Sequence, residues 1–476
     1  MIFHSLDFVV FFVVTTVVYW RLPHRAQNAL LLVASYFFYG YVHPWFLTLI
    51  FASTVADYWA ARGMDAHPER RRLYLGLSLV VNLGMLGFFK YFNFFAENVH
   101  ALLAALQFDV PLPALRVVLP VGISFYTFQE LSYTLEVYRG TLKARRDFLD
   151  FATFVCFFPQ LVAGPIERAR HLLPQVEQPR TFSWTLARSA ALLIVWGYFK
   201  KLVIADNVGV IANKVFALEA PAFHVLWAGV FAFGIQIYAD FSAYSDIARG
   251  TARWLGFDIM RNFDHPYLAT GPGDFWRRWH ISLSSWFRDY VYIPLGGSRG
   301  GRWALSRNIL ITFLVSGLWH GASWNYVLWG AYHGMLLVIA RQFPAAPPLA
   351  GISRALVLAL QTVVMFVLVN VGWLMFRETD TGYLLRDLTL SPAGATLFER
   401  QAGAYLFLLA FMYSIPLWIH SLWAVYARPW LEARPAAAVT GTRTWAVGEA
   451  LLAGLAFALI LVFRSRQSLD FIYFQF

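Results

Sequence analysis

The sequence predicts an all-α polytopic integral membrane protein, with about ten to twelve membrane-crossing helices and further re-entrant and interfacial helices. Three observations carry this expectation. Of 476 residues, 59% are hydrophobic and only 14% charged, with a mean hydropathy of +0.54. A soluble domain carries about 25% charged residues, so the chain lacks the polar surface to dissolve as a globule. Apolar runs of spanning length recur from end to end, and the basic residues gather between particular runs.

A bilayer-spanning helix needs roughly 20 predominantly apolar residues. Candidate spans lie near 6–20, 28–42, 44–60, 73–92, 117–138, 189–210, 224–246, 308–325, 326–340, 353–376, 403–426 and 445–463. The second, eighth and ninth are short, and tilted or re-entrant placement is expected for them. The first run has no basic residue before it and no small-residue cleavage site after it. It reads as a retained transmembrane helix rather than a removed signal peptide. Segment 148–164 is apolar but runs into Gly164 and Pro165, which suits a dip into the membrane without a crossing. No soluble domain fits between the spans and no internal repeat is evident, so residues 1–476 read as a single membrane domain.

The net charge is +11, from 38 Lys plus Arg against 27 Asp plus Glu. In a membrane protein such an excess marks cytoplasmic loops, not a nucleic-acid partner. Arg62, Arg70, Arg71 and Arg72 share one loop, and Arg139, Lys143, Arg145 and Arg146 share another. Arg168 and Arg170 follow, and segment 249–307 carries nine arginines against four aspartates. The positive-inside rule places loops 61–72, 139–147 and 249–307 in the cytoplasm and the N-terminus outside, the periplasm in a Gram-negative cell. Arg464 and Arg466 follow the last span and leave the side of the C-terminus unassigned.

Several chemistries are excluded. Cys156 is the single cysteine, so there is no disulfide and no zinc site built on paired cysteines, and no metal site is expected. The Gly-Gly-Ser-Arg-Gly-Gly run at 296–301 follows Pro294 rather than a strand, which is the wrong context for a phosphate loop. No Gly-x-Ser-x-Gly elbow is present. Without a side-chain nucleophile beside a recognisable activator, direct transfer between bound donor and acceptor is preferred to a covalent intermediate.

Segment 274–290 is expected to form one amphipathic helix, N-capped by Asp274 and stopped by Pro294 and the Gly296–Gly297 pair. Trp276, Trp279, Leu283, Trp286, Phe287 and Tyr290 fall on one stripe, with Arg277, Arg278 and Arg288 mainly opposite. This suits a helix at the cytoplasmic interface, and a helix that only anchors the fold fits the pattern equally well. His280 projects near the aromatic stripe.

In 308–325, Asn308, Thr312, Ser316 and His320 recur every four positions in an otherwise apolar run. Such a stripe faces protein or a water-filled cavity, not lipid. For the first three, hydrogen bonding between helices is the favoured reading. His320 is the only ionisable group in the run, and Gly317 and Gly321 leave room beside it. An imidazole takes and returns a proton near neutral pH, which suits a general base in acyl transfer. Asp240 reads as the better cavity-facing carboxylate, and Asp246 is expected to pair with Arg249, charge pairing being favoured over catalysis for both. Lys200 and Lys201 read as interfacial residues with their stems in lipid.

LPVGISFYTFQELSYTLEVYRG (119–140), FFPQLVAGPIER (157–168), DFSAYSD (240–246), DFWRRWHISLSSWFRDYVYIPLGG (274–297), SGLWHGASWNYVLWGAYHG (316–334) and FIYFQF (471–476) together resemble the membrane-bound O-acyltransferase (MBOAT) family, in the bacterial branch that includes the membrane subunit of alginate O-acetyltransferase and relatives that modify other glycans. The resemblance implies a many-helix fold around a central tunnel. It implies a catalytic His320 in the Trp-His-Gly context and a second functional histidine, His280, in Trp-Arg-Arg-Trp-His. It further implies transfer of an acetyl group from a cytoplasmic thioester, acetyl-coenzyme A or another acyl carrier, to a hydroxyl of a periplasmic or extracellular acceptor protein or glycan. The donor is then a substrate, with no permanently bound cofactor, and the chain lies in the bacterial inner membrane. Arg277, Arg278 and Arg288 suit the donor's phosphates. A D-alanyl transferase of the teichoic-acid type and a transporter or glycan flippase without acyl chemistry stand as the alternatives.

Overall fold

Among the described residues (1–108, 118–162, 164–343, 351–432, 443–465, 467 and 469–474), every regular element of the computed structural model is a helix. Each of the twelve predicted spans falls on one or more of these helices. Residue 117 of one predicted span, residue 163 of the apolar dip, Arg466 and residues 475–476 of the FIYFQF ending lie outside the described residues. Among the described residues, five runs are long and apolar enough to cross a bilayer by length and composition alone: Pro68–Ala105, Phe223–Trp254, Gly351–Arg377, Leu397–Trp430 and Ala446–Phe463. The chain divides into two compact units, Met1–Ala191 with Ala248–Met260, and Leu192–Ile247 with Arg261–Phe476.

The first unit begins with α1 (Leu6–Tyr19), α2 (His24–Gly40) and α3 (Phe46–Ala66). Next come α4 (Arg71–Leu86), a π turn at Gly87–Tyr91 and α5 (Phe92–Ala105). Then follow α6 (Ile123–Tyr138), α7 (Phe148–Cys156), α8 (Phe158–Leu161), α9 (Ala169–Glu177) and the start of α10 (Trp184–Phe199). Outward residues such as Val80 and Phe95 are 71% and 60% exposed, the face a membrane helix turns to lipid. α6 is the inner helix: Ile123 through Thr134 are all buried, against α3 and α4. The segment expected to dip forms α7, capped by the Asp147 carboxylate on the Leu149 N–H (2.8 Å), and α8. At nine and four residues these are too short to cross.

The second unit holds the rest of α10, a π turn at Lys200–Ala205, α11 (Asp206–Phe216) and α12 (Phe223–Trp254), whose last turns belong to the first unit. It continues with α13 (Pro272–Arg278), α14 (Ile281–Phe287), α15 (Gly301–His320) and α16 (Trp324–Ala340). α17 (Gly351–Arg377), α18 (Thr381–Thr389), α19 (Leu397–Leu422), α20 (Arg428–Glu432) and α21 (Arg443–Phe463) complete it. α15 and α16 form its tightest pair. A Cβ on Gly317 would stand 2.2 Å from the Tyr326 carbonyl oxygen, and one on Gly330 would stand 2.3 Å from that of Phe313. Glycine at both positions lets the two backbones touch.

Three expectations are corrected here. The single helix over 274–290 is broken: α13 ends at Arg278, His280 adopts φ 44° and ψ 55°, and α14 starts afresh at Ile281. The cause is Asn262, whose carbonyl accepts the Ile281 N–H (2.9 Å) and whose side-chain oxygen accepts the Ser282 N–H (3.2 Å). Those are the N–H groups a new helix leaves open, so a distant residue caps α14. Asp274 is not the N-cap, because Pro272 already starts α13; it sits in the first turn and holds Arg278 at 3.0 Å. Lys200 and Lys201 do not reach for the interface. Both are 3% exposed, with Lys200 2.7 Å from Asp246 and Lys201 3.0 and 3.1 Å from Asp206 and Asp240. A buried ammonium needs an opposite charge more than water, and each finds one on a neighbouring turn or helix.

Candidate active site

The α15–α16 hairpin carries His320 on its last helical residue, 6% exposed. The helix ends there because Gly321 turns extended (φ −162°). Among the described residues, the His320 ring lies near those of Trp319 (4.9 Å between centroids), Trp329 (5.0 Å), Phe376 (5.3 Å) and Tyr473 (6.0 Å). Trp329 also neighbours a further buried histidine, His333, at 4.9 Å.

His280 is 1% exposed at the junction of α13 and α14, 6.3 Å from the Tyr473 ring and 4.7 Å from Phe241. The Tyr473 ring therefore neighbours both imidazoles. The His280 Nδ1 is 3.1 Å from Asn262 Oδ1, which also accepts the Ser282 hydroxyl at 2.9 Å. An amide oxygen only accepts, so Nδ1 carries the proton and Nε2 presents its lone pair. Nε2 has no hydrogen-bond partner among the described residues. Burial pushes this imidazole down, to about 3, so it stays neutral at neutral pH.

Tyr473 reaches the site through the charge network. Asp240 Oδ2 accepts the Ile472 N–H (2.8 Å), and Lys201 Nζ donates to the Leu469 carbonyl (2.9 Å). Phe471 is fully buried against Tyr244 at 4.3 Å. Asp240 and Lys201 thus act through the backbone of the C-terminal segment, consistent with a pairing role rather than a chemical one.

A cavity of about 350 Å³ opens between α13, α14, α15 and α16. Arg277, Arg288 and Arg341 line it with Trp276, Leu283 and Phe313, and Thr312 and Ser316 contribute hydroxyls two turns and one turn before His320. Of the three arginines singled out in the sequence, Arg277 and Arg288 are on this wall. Arg278 is not: it bonds Asp274 (3.0 Å) and the Asp264 carbonyl (3.3 Å). Asn308 donates to the Gly297 carbonyl (3.0 Å) in the turn before α15, and Thr312 to that of Asn308 (2.6 Å) one turn back in its own helix, rather than across to another helix as expected. Sequence reasoning missed Asn262, Tyr473 and His333 as members of this constellation. The FIYFQF block was visible as a resemblance, but nothing local marked Asn262.

An all-helical chain with lipid-facing apolar surfaces and buried imidazoles beside a basic cavity has the makings of a membrane enzyme. The profile of the MBOAT, membrane-bound O-acyltransferase, family matches residues 31–376. A probable alginate O-acetylase of Azotobacter vinelandii is 42% identical over 369 residues, 76% of this chain and 72% of the relative. One of Pseudomonas aeruginosa is 41% identical over 369 residues, covering 76% and 69%. A peptidoglycan O-acetyltransferase of Helicobacter pylori is 34% identical over 404 residues, covering 78% and 75%. The chain belongs to the membrane-bound O-acyltransferase family and is an O-acyltransferase. That removes the transporter or flippase without acyl chemistry.

Proposed function

We propose that this chain, a multi-pass protein of the bacterial inner membrane with about ten to twelve crossings, carries acetyl groups outward. The donor is a cytoplasmic thioester such as acetyl-coenzyme A, and the acceptor is a hydroxyl of an exopolysaccharide or cell-wall glycan, or of a protein that serves one. The names of the relatives support a glycan pathway. The observation that carries the mechanism is the pair of imidazoles about one aromatic ring, His320 6.0 Å and His280 6.3 Å from Tyr473, beside an arginine-lined cavity. Arg277 and Arg288 take the donor's phosphates, and the apolar wall takes its thioester arm. His320 removes the acceptor hydroxyl's proton as the oxygen attacks the thioester carbonyl. The C–S bond breaks, and the proton passes to the departing thiolate. His280, neutral and held by Asn262, positions the donor or its hydrogen-bond network through Nε2.

The experiment is acetyl transfer by membranes containing the full chain, with radiolabelled acetyl-coenzyme A and a candidate glycan. Label that stays with the glycan through washing, and is absent with a His320→Gln chain, is expected. No transfer to any glycan from a correctly inserted protein, with either coenzyme A or carrier-protein donors, overturns the reading.

A further inference from the structure

The first unit holds a polar cluster that the acetyl-transfer reading leaves unused. Asp57 on α3 and Glu130 on α6 are both fully buried, at 0% exposure. An uncompensated carboxylate inside a membrane helix bundle is costly, and such residues are paired, neutralised or functional. Neither carboxyl has an ion-pair partner among the described residues.

The hydrogen bonds around them are one-sided. Glu130 Oε1 accepts the hydroxyls of Ser53 (3.1 Å) and Thr54 (3.0 Å) from α3. Asp57 Oδ2 accepts the Asn82 side-chain N–H (2.8 Å) from α4. Ser78, also on α4, lies beside Asp57 and donates to Thr134 on α6 at 3.1 Å. What remains bare is one oxygen of each side chain: Glu130 Oε2, Asp57 Oδ1 and Asn82 Oδ1, the last on a residue itself at 0% exposure. All three bare atoms are acceptors, so the missing partner brings positive charge or a proton. The other titratable groups facing the pair are Tyr36 and Tyr39 of α2, Tyr126 of α6 and Cys156 of α7, and none of these is a cation.

We propose that Asp57, Glu130 and Asn82 form a binding site for a small monovalent cation, a sodium ion or a proton, held between α3, α4 and α6. Carboxyl, amide and hydroxyl oxygens are hard donors suited to an alkali ion. The described residues gather no group of three His, Cys, Asp or Glu of the kind a transition metal takes. A proton meets the same need, since a protonated carboxyl donates from the oxygen that is now bare. Occupancy ties the three helices together, and the site is independent of the acetyl-transfer reading.

The test is thermal unfolding of the full-length protein in detergent, with sodium exchanged for choline at constant ionic strength and, separately, along a pH series. A sodium site raises Tm by equal steps per tenfold sodium once its Kd is passed. A proton site raises Tm on acidification instead. The Asp57→Asn/Glu130→Gln double variant, which keeps size and hydrogen bonding, is expected to lose whichever dependence the wild type shows. A difference between wild type and double variant that responds to neither sodium nor pH overturns the proposal. Should the double variant fail to fold, wild-type protein that neither binds radioactive sodium nor shows the infrared band of a buried carboxylic acid overturns it equally.

Discussion

The side-chain oxygen of Asn262 lies 3.1 Å from Nδ1 of His280, a residue 18 positions further along the chain. That contact sets the tautomer of the imidazole, and the same residue caps the helix His280 introduces. His280 is also one of three non-glycine residues with positive φ among the described residues. Backbone strain of that kind persists only where surrounding structure over-determines it, and Asn262 supplies that determination through three hydrogen bonds to Ile281 and Ser282.

Replacing His320 with glutamine keeps a polar side chain of similar reach and removes the base. We expect a protein that inserts and purifies normally with acetyl transfer reduced about 10²–10⁴-fold, the usual contribution of general-base assistance. The measurement is labelled acetyl transfer per mole of folded protein. Retention of more than about a tenth of wild-type activity, well above what loss of a general base permits, removes His320 from the centre of the mechanism.

His280→Ala is expected to weaken transfer at limiting donor, and Asn262→Ala to weaken it by roughly tenfold, the worth of one buried hydrogen bond. The two effects are coupled through one contact, so the double variant is expected to be little worse than His280→Ala alone. Losses that simply multiply show that Asn262 acts elsewhere than on the imidazole.

The cavity separates three arginines that the sequence groups together. Arg277→Ala and Arg288→Ala are each expected to raise the KM for donor by roughly tenfold or more, as removal of a charge-assisted phosphate contact does, with kcat little changed. Arg278→Ala is expected to leave the KM near wild type, because its guanidinium is turned to Asp274 and Asp264. Equal effects at all three positions point to a diffuse basic surface instead.

Lys201→Met leaves Asp206 and Asp240 facing each other in a buried site. Breaking one side of a buried pair costs about 3–5 kcal/mol, so a clear drop in thermal stability is expected. Adding Asp206→Asn and Asp240→Asn removes the orphaned charge and is expected to restore part of the loss. A Lys201→Met protein that melts with wild type overturns the charge-network account.

The sequence by itself determined the helical class and the positions of the predicted spans, because hydropathy is a property of consecutive residues and lipid reads it directly. It also singled out His320, the one ionisable group in an apolar run, and the small residues around it that let α15 meet α16. Tertiary structure alone decided that α13 and α14 are two helices, since the group that ends one and begins the other belongs to Asn262. It decided that Lys200 and Lys201 turn inward, that Tyr473 stands beside both imidazoles, and that Asp57 and Glu130 are buried together. Each of these outcomes pairs residues from distant segments. Periodicity along a helix reports which face a residue lies on, whereas the partner waiting on that face is fixed only when the helices pack.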